Sequence, residues 1–374
     1  MSPSPLSANG LPPRMAVVHN NDFQSKEVSS DSDEPPSLEA DADIAHIAAE
    51  IAAILTSAGV EVSIVQVSDN TDELIPTLRD FGANAVFNLV ESLGNDTARE
   101  PEVPLLLEAA HIPYTGNSPA PLRIAHAKDI AKQILHTHNI RHAMGITVFR
   151  LRDLPRKSAL RLDFPLFVKP ARTDTSIGID QKSIVRNYEE LRARVEFLLK
   201  YLPAPVLVEE YLPGRELNVA IFPDPYTGLI VPTEIDFSKY PEGLAPIVTY
   251  DCKWREDSPE YLAFSRPCAQ WPDPELQREV LRTARAAFLA LGGNGYGRVD
   301  MRLDALGHPA VIDINPNPDL DRAAGLSIAA LSMGIDYPSL IHMIATRTTL
   351  KEHHVPAPYT TGRPRGINCS LGTN

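Results

Sequence analysis

Residues 298–315 read Arg298-Val-Asp-Met-Arg-Leu-Asp-Ala-Leu-Gly-His-Pro-Ala-Val-Ile-Asp-Ile-Asn315. Val299, Met301 and Leu303 alternate with Arg298, Asp300 and Arg302, the period-2 pattern of a half-buried strand. Gly307 and Pro309 mark a turn, and Val311 to Asn315 is the return strand. A six-residue loop from Asp304 to Pro309 pairs Leu303 with Ala310, which sets Asp300 opposite Asp313 and Arg298 opposite Asn315. Directly opposed residues of an antiparallel pair share a face, and two facing carboxylates repel unless a cation lies between them. Two carboxylates and an amide oxygen are hard ligands that suit Mg²⁺, which completes its shell with water and substrate phosphates. The hairpin therefore reads as a magnesium–phosphate platform; the alternative is a solvated hairpin with two unrelated acids.

The strands and helices around it are those of a mixed α and β chain. Apolar runs at Met15 to His19, Val60 to Val67 and Ala85 to Val90 alternate with helical spacing at Ile44, Ile47, Ile51, Ile54 and Leu55 and at Leu74 to Phe81. This β-α-β-α-β order implies a parallel sheet with helices on its faces. Further on, helices are expected over Pro104 to His111, Ile124 to His138, Tyr188 to Leu202, Pro274 to Leu291 and Tyr337 to Thr346. Strands are expected at Ile146 to Phe149, Pro165 to Lys169 and Val206 to Glu209, with a hairpin of Leu217 to Phe222 and Leu229 to Ile235 around Thr227-Gly228. Asn20 to Ala40, rich in Asp, Ser, Pro and Glu, reads as a long surface loop. The expected division is a disordered tail over 1–13, an N-terminal α/β domain over 14–121, a central unit over 122–205, a C-terminal unit over 206–350 and a loose tail over 351–374.

A chain of 374 residues has room for two or three such units. Its formal net charge of −13, without any Lys/Arg run, argues against nucleic-acid binding. Three cysteines without CxxC spacing fit a reducing compartment. No stretch of about 18 apolar residues occurs, and the Ser/Pro-rich start lacks the apolar core of a signal peptide. The expected location is the cytoplasm, away from membranes. Scattered histidines without H-E-x-x-H spacing argue against zinc, and neither a GxxxxGK[ST] nor a G-x-S-x-G motif is present.

Several side chains are suited to phosphate chemistry, each with a plainer alternative. Lys169 ends the apolar run Phe164-Pro-Leu-Phe-Val-Lys-Pro170; its ammonium needs an anion or water. Lys128 faces the same choice. The loop Thr173 to Gly178 offers hydroxyls and backbone N–H groups that can cover phosphates, or is an ordinary hydrophilic loop. Val208-Glu209-Glu210-Tyr211-Leu212 joins a strand to a turn, where backbone groups can read an adenine edge and Glu216 can accept from ribose. Arg298 is placed to offset charge on a transferring group or to pair with a neighbouring aspartate. Lys253, in Tyr250-Asp-Cys-Lys-Trp254, can hold a substrate carboxylate or form a surface ion pair.

Taken in order, Phe87-Asn-Leu, Ile112-Pro-Tyr-Thr-Gly116, Ala127-Lys-Asp129, Phe167-Val-Lys-Pro-Ala-Arg172, Val208 to Leu217, Tyr250 to Lys253, Gly295-Tyr-Gly-Arg-Val-Asp300 and Asp313-Ile-Asn315 resemble the ATP-grasp superfamily, and within it the D-alanine–D-alanine ligase-like group. The resemblance implies a doubly wound α/β domain followed by two α+β domains clasping ATP. It places Lys128, Lys169 and Ser176 at the ATP phosphates, Glu209 and Leu212 at adenine, and Glu216 at ribose. It places Asp300, Asp313 and Asn315 on Mg²⁺ or Mn²⁺, with Arg298 at the tetrahedral intermediate. The implied reaction joins a small-molecule carboxylate to an amine, amino acids among them, through an acyl phosphate; the implied assembly is a homodimer. The chain departs from the group's pattern at His19-Asn-Asn-Asp22, where the resemblance would place a Gly-Gly-containing, Ser/Glu-bearing loop around the first D-alanine. It also departs at Asp313, where glutamate is usual, and at Asp319, in place of a glycine. The expected first substrate is therefore not D-alanine, and Arg322 is expected to hold an acceptor carboxylate. The competing readings are a true D-alanine–D-alanine ligase and a non-catalytic nucleotide-binding module.

Overall fold

The computed structural model describes residues 10–21, 44–174, 176–222, 230–263, 265, 267, 269, 271 and 273–348. The loop expected over 20–40 lies outside them beyond position 21, as does the C-terminal tail. The first sheet is parallel: β1 (Arg14–Asn20) lies between β2 (Glu61–Val67) and β3 (Ala85–Asn88). β1 carries apolar residues on successive positions because both its faces are covered. One face packs on α1 (Ile44–Ser57), the other on α2 (Leu74–Phe81) and α3 (Glu102–Ala109). Gly82 closes α2 in the left-handed conformation at φ +72°, giving its amide to the carbonyls of Arg79 and Leu78. The expected tail ends earlier than position 13, since Leu11 is 1% exposed and packs with Met15, Ile51 and Leu55. Burying a leucine this completely stabilises the fold by about 1.5–3 kcal/mol, enough to hold the segment.

The helix expected over 124–138 is two helices, α4 (Pro119–His126) and α5 (Lys128–Thr137). Ala127 leaves the helical region (φ −95°, ψ 74°), and the Lys128 amide donates to the carbonyl of Ala171 at 3.2 Å. Lys128 thus heads a helix and does not sit inside one.

The second sheet is antiparallel, in the order β4 (Gly145–Val148), β7 (Val206–Glu210), β5 (Leu166–Pro170), β6 (Ile184–Val185), and α6 (Tyr188–Tyr201) covers it. Asn187 starts α6 by accepting the Glu190 amide. The expected boundary at 205/206 is corrected here: β7 bonds to β4 and β5, so the central unit runs through Glu210.

The third sheet is also antiparallel, ordered β11 (Pro309–Asn315), β10 (Gly297–Leu303), β8 (Glu216–Ile221), β9 (Ile230–Ile235). The expected turn at Thr227-Gly228 lies outside the described residues. The short helices α7 (Tyr250–Trp254) and α8 (Pro259–Ala263) precede α9 (Pro274–Ala290), which Asp273 caps and Pro274 opens. α9 buries Val280, Ala284 and Phe288 against Val299 and Met301. α10 (Gly325–Ser332) and α11 (Tyr337–Ala345) return to the first sheet: Leu326 and Ile341 share a core with Met15 and Ile51. Among the described residues, no single helix is long and apolar enough to cross a membrane.

The hairpin β10–β11 keeps Asp300 opposite Asp313 and Arg298 opposite Asn315, but Leu303 pairs with Pro309 and not with Ala310. Between these pairings Met301 faces Val311, and Ile312 is left over as a β-bulge. The turn is one residue shorter than expected, and the bulge restores the register of the carboxylates.

Candidate active site

A cleft of about 730 Å³ contains every side chain singled out from the sequence for ATP, metal and catalysis: Lys128, Lys169, Ser176, Glu209, Leu212, Glu216, Lys253, Arg298, Asp300, Asp313 and Asn315. Three neighbouring strands supply its acidic floor, because Asn218 of β8 lies opposite Asp300, which lies opposite Asp313. Asp300 accepts from Arg298 Nε and Nη2 at 2.7 and 2.9 Å, and from Asn218 Nδ2 at 2.7 Å. Asp313 accepts the Ile314 amide at 3.0 Å and stands 3.7 Å from Lys128 Nζ. Burial alone would lower the basicity of Arg298, but the Asp300 carboxylate overrides it and holds the cation. The repulsion expected between the facing acids is thus offset by one cation on each side.

These groups fit a magnesium ion shared with a substrate. Among the described residues no three His, Cys, Asp or Glu side chains converge, which excludes an all-protein cage built from them. Two carboxylates and the Asn315 amide leave the remaining positions to water and phosphate, as Mg²⁺ requires.

Around this floor stand the lysines. Lys128 donates to the Thr173 carbonyl at 2.9 Å and to Asp174 Oδ1 at 2.6 Å, and His126 Nδ1 lies 3.0 Å from Asp174 Oδ2. Burial opposes the charge on Lys128, but Asp174 and Asp313 overcome it and raise its pKa. Burial likewise works against the Asp174 charge, and Lys128 outweighs it, so the Asp174 carboxyl stays below the usual range. Thr173 and Asp174 are thereby tied to the first residue of α5. Ser176, in the Thr173–Gly178 loop, has φ +65°, a conformation uncommon outside glycine.

At the far wall, Glu209 is 3% exposed and lies 3.0 Å from Lys132 Nζ and 3.2 Å from Lys169 Nζ. Its burial favours the neutral form, but Lys132 and Lys169 keep the carboxyl below its ordinary range. Leu212 packs against Ala143 and Ala310. Glu216 is 3.4 Å from Arg302, and burial raises its pKa against that pairing. Lys253, on α7, acts electrostatically on Glu216.

Sequence reasoning missed Asn218 and Lys132. Asn218 follows Glu216 at period 2, and Lys132 follows Lys128 at helical spacing; both signals were present. It also missed Asn117, which is 2% exposed. Asn117 donates to the carbonyls of Tyr296 and Pro316 and accepts the amides of Asn294 and Gly295. Arg322 is a correction. It pairs with Glu50 of α1 at 2.5 Å, stacks over Tyr337 and does not line the cleft.

Taken with the relatives that follow, this chain of three sheets around a charged cleft is an ATP-grasp ligase, one that forms carbon–nitrogen bonds. The chain belongs to the D-alanine–D-alanine ligase family: a family model described as D-ala D-ala ligase C-terminus matches residues 146–346. An uncharacterized protein of Sinorhizobium fredii is 30% identical over 262 residues, covering 69% of this chain and 73% of that protein. A D-alanine–D-alanine ligase of Marinomonas sp. is 31% identical over 251 residues, covering 65% of this chain and 71% of that protein. In structure, the chain is similar to the D-alanine–D-alanine ligase of Bacillus anthracis complexed with ATP. The TM-score is 0.67 at 23% identity, over 88% of this chain and 95% of that one.

Proposed function

We propose that the chain uses ATP and Mg²⁺ to join a carboxylate to an amine through an acyl phosphate, with a first substrate other than D-alanine. The carrying observation is the convergence of Lys128, Lys169, Arg298, Asp300, Asp313 and Asn315 on one cleft. In this reading Lys128, Lys169 and Ser176 hold the phosphates, Glu209 and Leu212 the adenine, and Glu216 the ribose. Asp300, Asp313 and Asn315 hold the divalent ion, which when bound neutralises charge on the terminal phosphates. A substrate carboxylate oxygen attacks the γ-phosphorus and the bond to the β-phosphate oxygen breaks, releasing ADP. The amine nitrogen then attacks the acyl carbon, phosphate leaves, and the nitrogen loses a proton. Arg298 offsets the oxyanion of that second step, and Lys253 holds a substrate carboxylate. The enclosing loop over Lys128 keeps water from the acyl phosphate.

What supports a different first substrate is the end of β1. Asn20 is 1% exposed; its side chain donates to Ser92 Oγ at 3.1 Å and accepts the Glu91 amide at 3.1 Å. It is engaged in structure, and the stretch His19-Asn-Asn-Asp22 carries no Gly-Gly pair. We infer action in the cytoplasm as a homodimer, without nucleic-acid or membrane partners. The test is ADP release from ATP and Mg²⁺ with a panel of single and paired amino acids, with mass spectrometry of the products. A product from a pair lacking D-alanine supports the proposal. D-alanyl-D-alanine alone establishes the ligase and removes the altered substrate, and no product with any pair points to a nucleotide-binding module.

A further inference from the structure

Lys132 has no part in the roles assigned above, yet it is tied to two of them. Its ammonium lies 3.0 Å from Glu209 Oε1 and donates to the Val311 carbonyl at 3.1 Å. Lys169 completes the other half, 3.2 Å from Glu209 Oε2 and donating to the Ile312 carbonyl at 3.0 Å. Ile312 is the bulged residue, without a partner in β10, so its carbonyl is released from the ladder. The Val311 carbonyl lies on the outer edge of β11, where the Ala143 amide also reaches it at 3.1 Å. Two ammonium groups thus bridge one buried carboxylate to two successive carbonyls, and the next residue along the strand is Asp313. Removing one cation from such an arrangement leaves the carboxylate free to turn and less stable as an anion.

We propose that Lys132 is a positioning residue for the nucleotide: it fixes the Glu209 carboxylate at the base and ties it, through the Val311 carbonyl, to the strand that carries Asp313. The inference rests on the reading of Glu209 as the base contact. A fixed carboxylate accepts from the 6-amino group of adenine and repels the 6-oxo group of guanine, so its placement sets the preference for ATP over GTP.

The experiment measures equilibrium binding of ATP and of GTP, with Mg²⁺, to the full chain and to Glu209→Gln, Lys132→Met and Lys132→Arg. Glu209→Gln should lower the ATP-over-GTP preference, because an amide can donate to the guanine oxygen. Lys132→Met should lower it by about tenfold, because the 3.0 Å ion pair that holds the Glu209 carboxylate is lost, and Lys132→Arg should restore most of it. If Glu209→Gln leaves the preference unchanged, the base contact itself is wrong and the role of Lys132 falls with it. If Glu209→Gln lowers the preference but Lys132→Met stays within about twofold of the parent, or weakens ATP and GTP alike, Lys132 does not position Glu209. Should Lys132→Met fail to fold, Lys132→Gln, which keeps a donor and removes the charge, is judged by the same criteria.

Discussion

Replacing Asn117 with alanine should cost more stability than any surface change in the chain. The side-chain amide makes four hydrogen bonds: Nδ2 to the Tyr296 carbonyl at 2.6 Å and the Pro316 carbonyl at 2.5 Å, and Oδ1 from the Asn294 and Gly295 amides at 2.8 and 2.9 Å. It thereby uses its whole capacity of two donors and two acceptor sites. At about 1 kcal/mol net for each bond the loss is about 4 kcal/mol, before any penalty for backbone groups left unpaired. For units of about 150–250 residues each kcal/mol lowers the midpoint by about 2–4 °C, so the expected drop is about 8–16 °C. Thermal unfolding followed by calorimetry and near-ultraviolet circular dichroism measures it. Tyr296 and Pro316 lie just outside Arg298 and Asn315 in sequence, so turnover should fall as well, measured below the lowered midpoint. Asn117→Asp keeps both acceptors but turns oxygen against two carbonyls, and should be at least as damaging. A midpoint within about 2 °C of the parent for Asn117→Ala would show that the four bonds are replaced at no cost, and the reasoning would fail.

Asp300→Asn should reduce ADP release by about a hundredfold or more while the circular dichroism spectrum is retained; unchanged turnover would remove Asp300 from the metal set. Burial and the nearby Asp174 raise the Glu100 carboxyl to about 8, against the opposing hydrogen bond from Asn317. The folded chain therefore keeps a proton that the unfolded chain gives up in the ordinary carboxyl range. The associated stability is full at low pH and is lost as pH rises through about 8. Glu100→Gln should flatten the decline in midpoint between about pH 5 and pH 9, and parallel curves would contradict this. In Gly295→Ala the new Cβ would fall 2.2 Å from the Gly116 carbonyl oxygen, which should cost about 1–3 kcal/mol in urea unfolding; an unshifted midpoint would count against that close approach.

Much of the site was legible because its residues lie on strands whose alternation is written in the sequence. Arg298, Asp300 and Arg302 between Val299, Met301 and Leu303 show which side carries the polar groups, and a turn at Gly307 shows that Pro309 to Asn315 returns alongside them. The bulge was not legible, because one inserted residue changes the turn length and the register by equal and opposite amounts. The break at Ala127 left no mark either: Ala127 is a good helix former, and what marks the break is a hydrogen bond from the Lys128 amide to the carbonyl of Ala171, distant in sequence. Asn117 escaped notice because its partners lie at 294–296 and 316. Arg322 was misread for a related reason, since Glu50, which captures it, is contributed by α1 from the other end of the chain. Local pattern reveals faces and turns; contacts between distant segments decide which polar groups on a face remain available.

Ile312 has an implication for how this chain tolerates change. Without it, Val311 and Asp313 would become neighbours, and Met301 with Val311 and Asp300 with Asp313 would be matched in an uninterrupted ladder. A one-codon deletion there would tidy the sheet and spare the hydrophobic packing of Val311, while taking from Lys169 the carbonyl that anchors it. Such a chain would gain a regular ladder but lose the packing of Ile312 on Ala143, Leu212 and Ala310, so the irregularity serves the core beside the cleft as well as the lysine.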